Sequence, residues 1–229
     1  MITLSVDTSA KSASTALTKD GRLLAEAFNN TSLTHSQTLL PMIHDMLKNA
    51  CIAIDRVDLF ACVQGPGSFT GLRIGISAVK GLALGLDKKC VGVSTLEAMS
   101  YNLLSQDAVA CCVMDARCEQ VYNAMFSVCG NEITRLCDDR AVTLSELAQD
   151  LLKYSDKKII LVGDGAELSC EYLKNSINVT LAPEHLRYQR AFGAALASIG
   201  KTAVSADGLV PSYLRLPQAT RELNKRKPV

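Results

Sequence analysis

The run from Gln64 to Leu86, which contains the block GPGSFTGLRIG, limits what the rest of the chain can be. Gly65, Pro66 and Gly67 make a turn, and Ser68 is a favoured N-cap whose hydroxyl can accept from an amide of the first helical turn. On a helical net Leu72, Ile76, Val79, Ala83 and Leu86 form one stripe. Gly71, Gly75, Ala78, Leu82 and Gly85 form a second stripe beside it, and only Arg73, Ser77 and Lys80 mark a polar edge. A helix apolar around most of its circumference needs cover on more than one side. Each interior glycine also costs roughly 1 kcal/mol against alanine, so glycines at this spacing predict close approach by another backbone. The expected helix packs by one flank on the chain's own sheet and by the other on a neighbouring helix, of this chain or of another. Arg73 and Lys80 interrupt a segment barely long enough to span a bilayer, which argues against a membrane helix. Two readings of the turn stay open. It is a capped helix start, or it is an anion cradle of free amides, although the GK[ST] ending of a P-loop is missing.

Around this run the pattern predicts βββαβαβα twice. Ile2 to Val6, Ala13 to Thr18 and Leu23 to Phe28 read as strands, the last two joined by the hairpin signal Asp20-Gly21. A helix follows from Ser36 to Ala50 with Leu39, Leu40, Ile43, Met46 and Leu47 on one face, and Pro41 requires it either to kink or to start later. Val57 to Val63 leads into the glycine-rich helix, Cys90 to Val93 is a further strand, and Ser94-Thr95-Leu96-Glu97 has the form of a capping box. The second copy reads Ala108 to Met114, Gln120 to Val128, Glu132 to Cys137, a helix opened by Thr143-Leu144-Ser145-Glu146, and a strand Lys158 to Val162. The turn Gly163-Asp164-Gly165, a helix Ala166 to Lys174, a strand Ile177 to Leu181 and a long helix Ala191 to Val204 complete it. An aspartate, Asp7 or Asp115, closes the first strand of each copy. Two similar lobes, 1–104 and 105–229, are expected.

Composition excludes several functions. The chain has 229 residues, 48% of them hydrophobic, enough for one or two domains with a proper core, and a formal charge of +1. Such a charge lacks the field that draws nucleic acid non-specifically; only Lys225-Arg226-Lys227 is locally basic, and a solvated terminus accounts for it. With neither a basic n-region nor an uninterrupted apolar core at the N-terminus, no signal peptide is read and a cytoplasmic location is expected. Nine cysteines without CxxC spacing predict buried reduced thiols rather than zinc ligands or disulfides. His35 and His44 lie nine residues apart, on opposite sides of one helix, and cannot share a metal; His185 falls in a loop. Ser68 is not in a G-x-S-x-G elbow, and nothing ties a histidine to it or to a cysteine, so no catalytic constellation is read.

Two lobes of this order resemble the actin-like ATPase and sugar kinase superfamily, whose halves are ribonuclease H-like and bind nucleotide in the cleft between them. That resemblance puts Asp7-Thr8-Ser9 and Asp115-Ala116-Arg117 at the two phosphate loops and Gly163-Asp164-Gly165 near the nucleoside turn. The glycine expected two residues after each aspartate is Ser9 in one loop and Arg117 in the other, where bulk obstructs a phosphate. The cleft of Asp7, Thr8, Ser9, Asp115, Gly163 and Gly165 is therefore read as vestigial.

A more specific resemblance covers the whole chain. Ile2 to Ser9, His35 to Pro41, Gly65 to Gly75, Met114 to Arg117 and Pro211-Ser212-Tyr213-Leu214-Arg215 together resemble the TsaB (YeaZ) family of bacterial tRNA threonylcarbamoyladenosine biosynthesis proteins. The resemblance implies a non-catalytic partner of the paralogue TsaD, which carries the metal and modifies adenosine 37 of tRNA, in a complex with the ATPase TsaE. Thr95 and Met99 stand where TsaD-like sequences carry a His-x-x-x-His pair, and neither replaces imidazole as a metal ligand. The family pairs through first-lobe helices, as a homodimer alone and with TsaD in the working complex. Leu39, Ile43, Leu72, Ile76 and Val79 are the expected interface residues, with the inward stripe left open. No metal and no cofactor are implied for the chain alone, and the interface of the complex is the place left for ATP or ADP; tRNA is met only through the complex. The competing readings are a stand-alone ATPase or kinase of the actin-like class, or a protease acting on the paralogue.

Overall fold

A computed structural model describes residues 1–31 and 33–215; Lys225-Arg226-Lys227 lies outside the described residues. Strands β1 (Ile2–Asp7), β2 (Ala13–Lys19) and β3 (Arg22–Asn29) form an antiparallel meander. Asp20 (φ 49°) and Gly21 (φ 79°) both take the left-handed backbone that a tight hairpin turn demands. Next come α1 (His35–Asn49), β4 (Leu59–Gly65), α2 (Phe69–Gly85), β5 (Lys89–Ser94) and α3 (Thr95–Ser100). β4 and β5 add parallel strands, giving the order β3-β2-β1-β4-β5.

The second sheet repeats this plan. Its strands are β6 (Ala108–Asp115), β7 (Gln120–Cys129), β8 (Glu132–Arg135), β9 (Arg140–Thr143), β10 (Ile159–Val162) and β11 (Val179–Leu181). Its helices are α4 (Leu144–Leu151), α5 (Ala166–Leu173), α6 (Glu184–Arg187) and α7 (Ala191–Ala197). The order β8-β7-β6-β10-β11 matches the first sheet strand for strand. β9 is an addition that the pattern did not reveal. β8 pairs with one half of β7, through Phe126↔Arg135, and β9 with the other, through Asn123↔Arg140. The two short strands are one broken third strand, interrupted where the Met125 amide meets Cys137 Sγ at 3.3 Å.

The sheets exchange helices. α3 follows the last strand of the first sheet, yet Leu96, Met99 and Leu103 pack beneath the second with Cys112, Phe126 and Val162. α7 follows the second sheet, yet Ala194 and Ala197 pack with Val63, Leu72 and Val93 of the first lobe. The two helices cross where a Cβ on Gly193 would stand 2.1 Å from the Ala98 carbonyl, which accounts for the small side chains of α7. Ser5 Oγ donates to the Ala191 carbonyl at 2.6 Å and Ser14 Oγ accepts from the Ala191 amide at 2.7 Å, fixing the start of α7 on β1 and β2.

Several boundaries differ from expectation. α1 runs from His35 straight through Pro41 rather than starting later, and Leu40 is 52% exposed rather than part of its core face. The last helix stops at Ala197, not Val204, because Gly200 turns with φ 78° and Val204 then pairs with Cys90 at the first sheet's edge, two N–O distances of 2.8 Å. Ile177 is still tied to the Leu173 carbonyl at 3.0 Å, so β11 begins two residues late. His185 sits in α6, not in a loop.

Of the two expected capping boxes only the second forms in full; the first is a one-sided N-cap. Ser94 Oγ accepts from the Glu97 amide at 3.1 Å, but Glu97 turns away to Arg135 and Lys201. The Thr143 box is reciprocal: Thr143 Oγ1 accepts from the Glu146 amide at 3.2 Å, and Glu146 Oε2 accepts from the Thr143 amide at 2.7 Å. Thr143→Ala should cost about 1 kcal/mol and lower Tm by about 2–4 °C in a thermal melt, whereas Thr143→Ser should leave Tm nearly unchanged.

Candidate functional site

A cleft of about 530 Å³ separates the lobes, lined by Ser9 and Lys11 after β1, by Pro66, Gly67, Ser68 and Phe69 of the glycine turn, and by Asp115, Arg117 and Asp164. Asp7 lies behind it, 1% exposed; Oδ1 accepts from the Ser9 amide (2.9 Å) and hydroxyl (2.6 Å), while Oδ2 has no partner among the described residues. Burial pushes the Asp7 carboxyl above the usual carboxylate range, opposed by the Ser9 bonds. The Asp164 carboxyl, recessed although the residue keeps an exposed edge, is pushed up to about 6 by burial, with Asp115 and Asp7 adding to the shift and a 2.7 Å bond from Gln189 Nε2 opposing it.

The loops therefore converge as the superfamily resemblance implies, but several of their amides are already engaged. The Ser68 amide donates to the Ser9 carbonyl (2.6 Å), the Arg117 amide to Asp115 Oδ1 (2.7 Å) and the Ala116 amide to the Gln120 carbonyl (3.0 Å). The Gly163 and Gly165 amides bond the Arg187 and Val113 carbonyls (2.7 and 3.2 Å), and a Cβ on Gly163 would stand 2.0 Å from that same Val113 oxygen. These glycines serve the seating of the turn on β6. Thr8 is spent on the helix: its Oγ1 donates to the Gly71 carbonyl at 2.8 Å.

The Pro211-to-Arg215 block crosses the mouth of this cleft. The Ser212 amide donates to the Gln64 carbonyl at 2.7 Å, and a Cβ on Gly65 would lie 2.2 Å from the Ser212 carbonyl oxygen. Tyr213 packs on Phe69 with ring centroids 4.9 Å apart, and Arg73 Nε donates to its hydroxyl at 2.9 Å. Arg215 Nη1 reaches the Ala116 carbonyl at 2.8 Å.

The second candidate is the outside of α1 and α2. Leu72, Ile76 and Val79, with Leu39 and Ile43 of α1, are between 0% and 4% exposed and belong to the chain's own core. This corrects their expected place on an interface: the stripe with the larger and branched side chains turns to the sheet. The other side of α2 presents Ile74, Ser77, Ala78, Gly81 and Gly85 at least partly to solvent, beside Leu40 of α1, and an apolar groove runs between the helices. Ser68 Oγ caps α2 by accepting from the Gly71 amide at 3.2 Å. The glycines divide into two kinds. A Cβ on Gly71 would meet the Thr8 carbonyl at 2.1 Å and one on Gly75 the Thr8 hydroxyl at 2.3 Å, the expected close approach. Among the described residues nothing lies within 4 Å of a Cβ on Gly81 or Gly85.

Elsewhere little chemistry gathers. Thr95 and Met99 are fully buried, Met99 among apolar side chains under the second sheet. His35 Nε2 lies 2.7 Å from the Ala10 carbonyl, and His44 and His185 are exposed and apart. Among the described residues no three or more His, Cys, Asp and Glu side chains come together as a metal would need. All nine cysteines are free: Cys62, Cys90, Cys111 and Cys112 are buried, whereas Cys51, Cys118 and Cys129 are exposed, against expectation. Burial pushes the Cys111 thiol up to about 12. No helix among the described residues is long and apolar enough to cross a membrane.

Two sheets of the same ribonuclease H-like strand order, facing each other across a cleft and trading helices, define the actin-like two-lobed class of α/β protein. Residues 24–206 match the family model described as TsaD, tRNA N6-adenosine threonylcarbamoyltransferase. The chain is 29% identical over 225 residues, 96% of each chain, to the tRNA threonylcarbamoyladenosine biosynthesis protein TsaB of Bacillus subtilis. It is 33% identical over 164 residues, 71% of each chain, to the TsaB of Escherichia coli. The solved structure of YeaZ from Pseudomonas aeruginosa superposes with a TM-score of 0.78 at 27% identity, covering 93% of this chain and 99% of that one. The chain belongs to the TsaB (YeaZ) family.

Proposed function

We propose that this chain is a non-catalytic subunit of the cytoplasmic machinery that makes threonylcarbamoyladenosine in tRNA, and that it acts by lending the outer face of α1 and α2 to its transferase paralogue, TsaD. The observation that carries this reading is Gly81. A glycine inside a helix costs roughly 1 kcal/mol against alanine, and among the described residues nothing approaches the space its missing side chain leaves open. A helix from another chain packed against Ile74, Ala78 and Gly81 supplies the close approach that such glycines serve. The same face serves a homodimer when the chain is alone, so the two pairings compete. In the complex TsaE engages the assembled pair, tRNA is met through the partner, and any ATP or ADP binds at the shared interface. Two features support the absence of catalysis. Thr95 and Met99 are spent on the interior, and the cleft has Ser9 and Arg117 where phosphate loops need glycine, with the Ser68, Ala116, Arg117, Gly163 and Gly165 amides bonded within the chain.

The test is threonylcarbamoyl transfer to unmodified tRNA by TsaD and TsaE of the same cell, supplied with the threonylcarbamoyl-adenylate, with and without this chain. Modification is expected only when the chain is present, and the chain alone is expected neither to bind nor to hydrolyse ATP. Full transfer without it, or turnover of ATP by the chain alone, overturns the reading.

A further inference from the structure

The carboxy-proximal block Pro211 to Arg215 has no part in the function proposed above, yet it holds both lobes at once. On the first lobe it is anchored by backbone, ring and hydroxyl: Ser212 on Gln64, Tyr213 on Phe69 and Arg73. The Arg73 guanidinium lies 3.8 Å from the Phe69 ring centroid and 5.9 Å from that of Tyr213, so the cation stacks on Phe69 while its Nε holds the Tyr213 hydroxyl. On the second lobe the anchor is Arg215, whose Nη1 bonds the carbonyl of Ala116. That carbonyl stands at the shoulder of a tight turn in which Arg117, Cys118 and Glu119 have φ of 65°, 55° and 57°. Three consecutive non-glycine residues in the left-handed region cost of order 1 kcal/mol each, so this turn needs holding from outside. The strap also dictates Gly65: with φ 134° and the Ser212 carbonyl 2.2 Å from a Cβ, no side chain fits there while the strap is seated.

We propose that Pro211 to Arg215 is an interlobe strap, which closes the mouth of the cleft and couples the turn that starts α2 to the β6–β7 turn, so that the lobes move as one body while it is seated. It behaves as a unit: losing either anchor frees the other. This inference does not depend on the identity of the partner. It is tested by amide hydrogen exchange on the full chain with Arg215→Ala, which removes the second-lobe anchor alone, and with Tyr213→Ala, which removes the first-lobe stack alone. Tyr213 is an exposed residue and Arg215 a half-buried one, so both variants should fold. In each, exchange should rise about tenfold or more at both ends, in Gln64 to Leu72 and in Ala116 to Gln120, while β1 and β6 stay protected. Tyr213→Phe, which keeps the ring stack, should give a smaller rise at the same two places. If Arg215→Ala speeds exchange only around Ala116, or Tyr213→Ala only around Phe69, the anchors are independent contacts and the strap is overturned.

Discussion

Gly81→Glu should raise the thermal stability of the isolated chain while abolishing its pairing, and Ile76→Asp, five residues away on the same helix, should lower that stability steeply by breaking the first-lobe core. Gly81 is exposed and a Cβ there meets nothing among the described residues, so replacement by a good helix former recovers roughly 0.5–1 kcal/mol, a gain of about 1–4 °C in Tm. In a packed helix pair the same side chain fills the closest approach and buries a charge, at a cost of about 2–5 kcal/mol, or roughly 30-fold to several thousand-fold in affinity. Ile76 is 4% exposed within the first-lobe core. A carboxylate there leaves a hole and an unpaired charge, costing about 4 kcal/mol or more, a large share of a typical domain's total stability. Sedimentation together with a thermal melt reads both quantities. A Gly81→Glu chain that still dimerises and still captures the transferase removes the outer face of α2 from the function.

The contrast between these two positions marks where sequence reasoning stopped. The turn, the Ser68 cap and the helix were legible because their signals are local, and so was the repeated strand order, because hairpin and capping signals punctuate each lobe. Which stripe of α2 turns inward was not, since both are apolar; the choice is made by the fit of Leu72, Ile76 and Val79 to the sheet. The exchange of α3 and α7 between the sheets left no local trace either. The small and apolar residues after Ala191 extend the helical pattern, and its early end comes from the left-handed turn at Gly200 followed by the edge pairing of Val204 with Cys90. Pro211 to Arg215 was conspicuous as a block, but its place over the cleft depends on partners at Gln64, Phe69, Arg73 and Ala116, roughly a hundred or more residues away in sequence. Chain-local patterns carry secondary structure well and carry such tertiary partners poorly. Of the remaining cleft candidates, Ser9 and Asp115 line it and Asp7 lies behind it, and what sequence could not convey is that Asp7 is bonded to Ser9, Asp115 to the Arg117 amide and Gly163 to the Arg187 carbonyl.

Gly71→Ala should be among the most damaging single-methyl changes in the chain, although the identical change at Gly81 should stabilise it. Alanine is the better helix former at both positions, so propensity predicts the same small gain. Tertiary contact decides the sign. At Gly71 the added carbon stands 2.1 Å from the Thr8 carbonyl oxygen, a backbone atom on the loop that leaves β1, and that loop is pinned by the Asp7–Ser9 bonds and by the Ser68 amide. The helix must lift away, and lifting it stretches the bond from Thr8 Oγ1 to the Gly71 carbonyl and the Ser68 cap on the Gly71 amide. Overpacking of this kind costs about 3 kcal/mol, or a fall of roughly 6–12 °C in Tm for a chain of this size. Gly75→Ala should fall between the two, because the nearest atom, 2.3 Å away, is the Thr8 hydroxyl, a side-chain group that can rotate where a backbone carbonyl cannot. The order expected in thermal melts is Gly81→Ala above the parent, then Gly75→Ala, then Gly71→Ala. A Gly71→Ala chain as stable as the parent would mean that α2 does not seat on the β1 loop, and with it the geometry of the cleft and of the outer face would both be wrong.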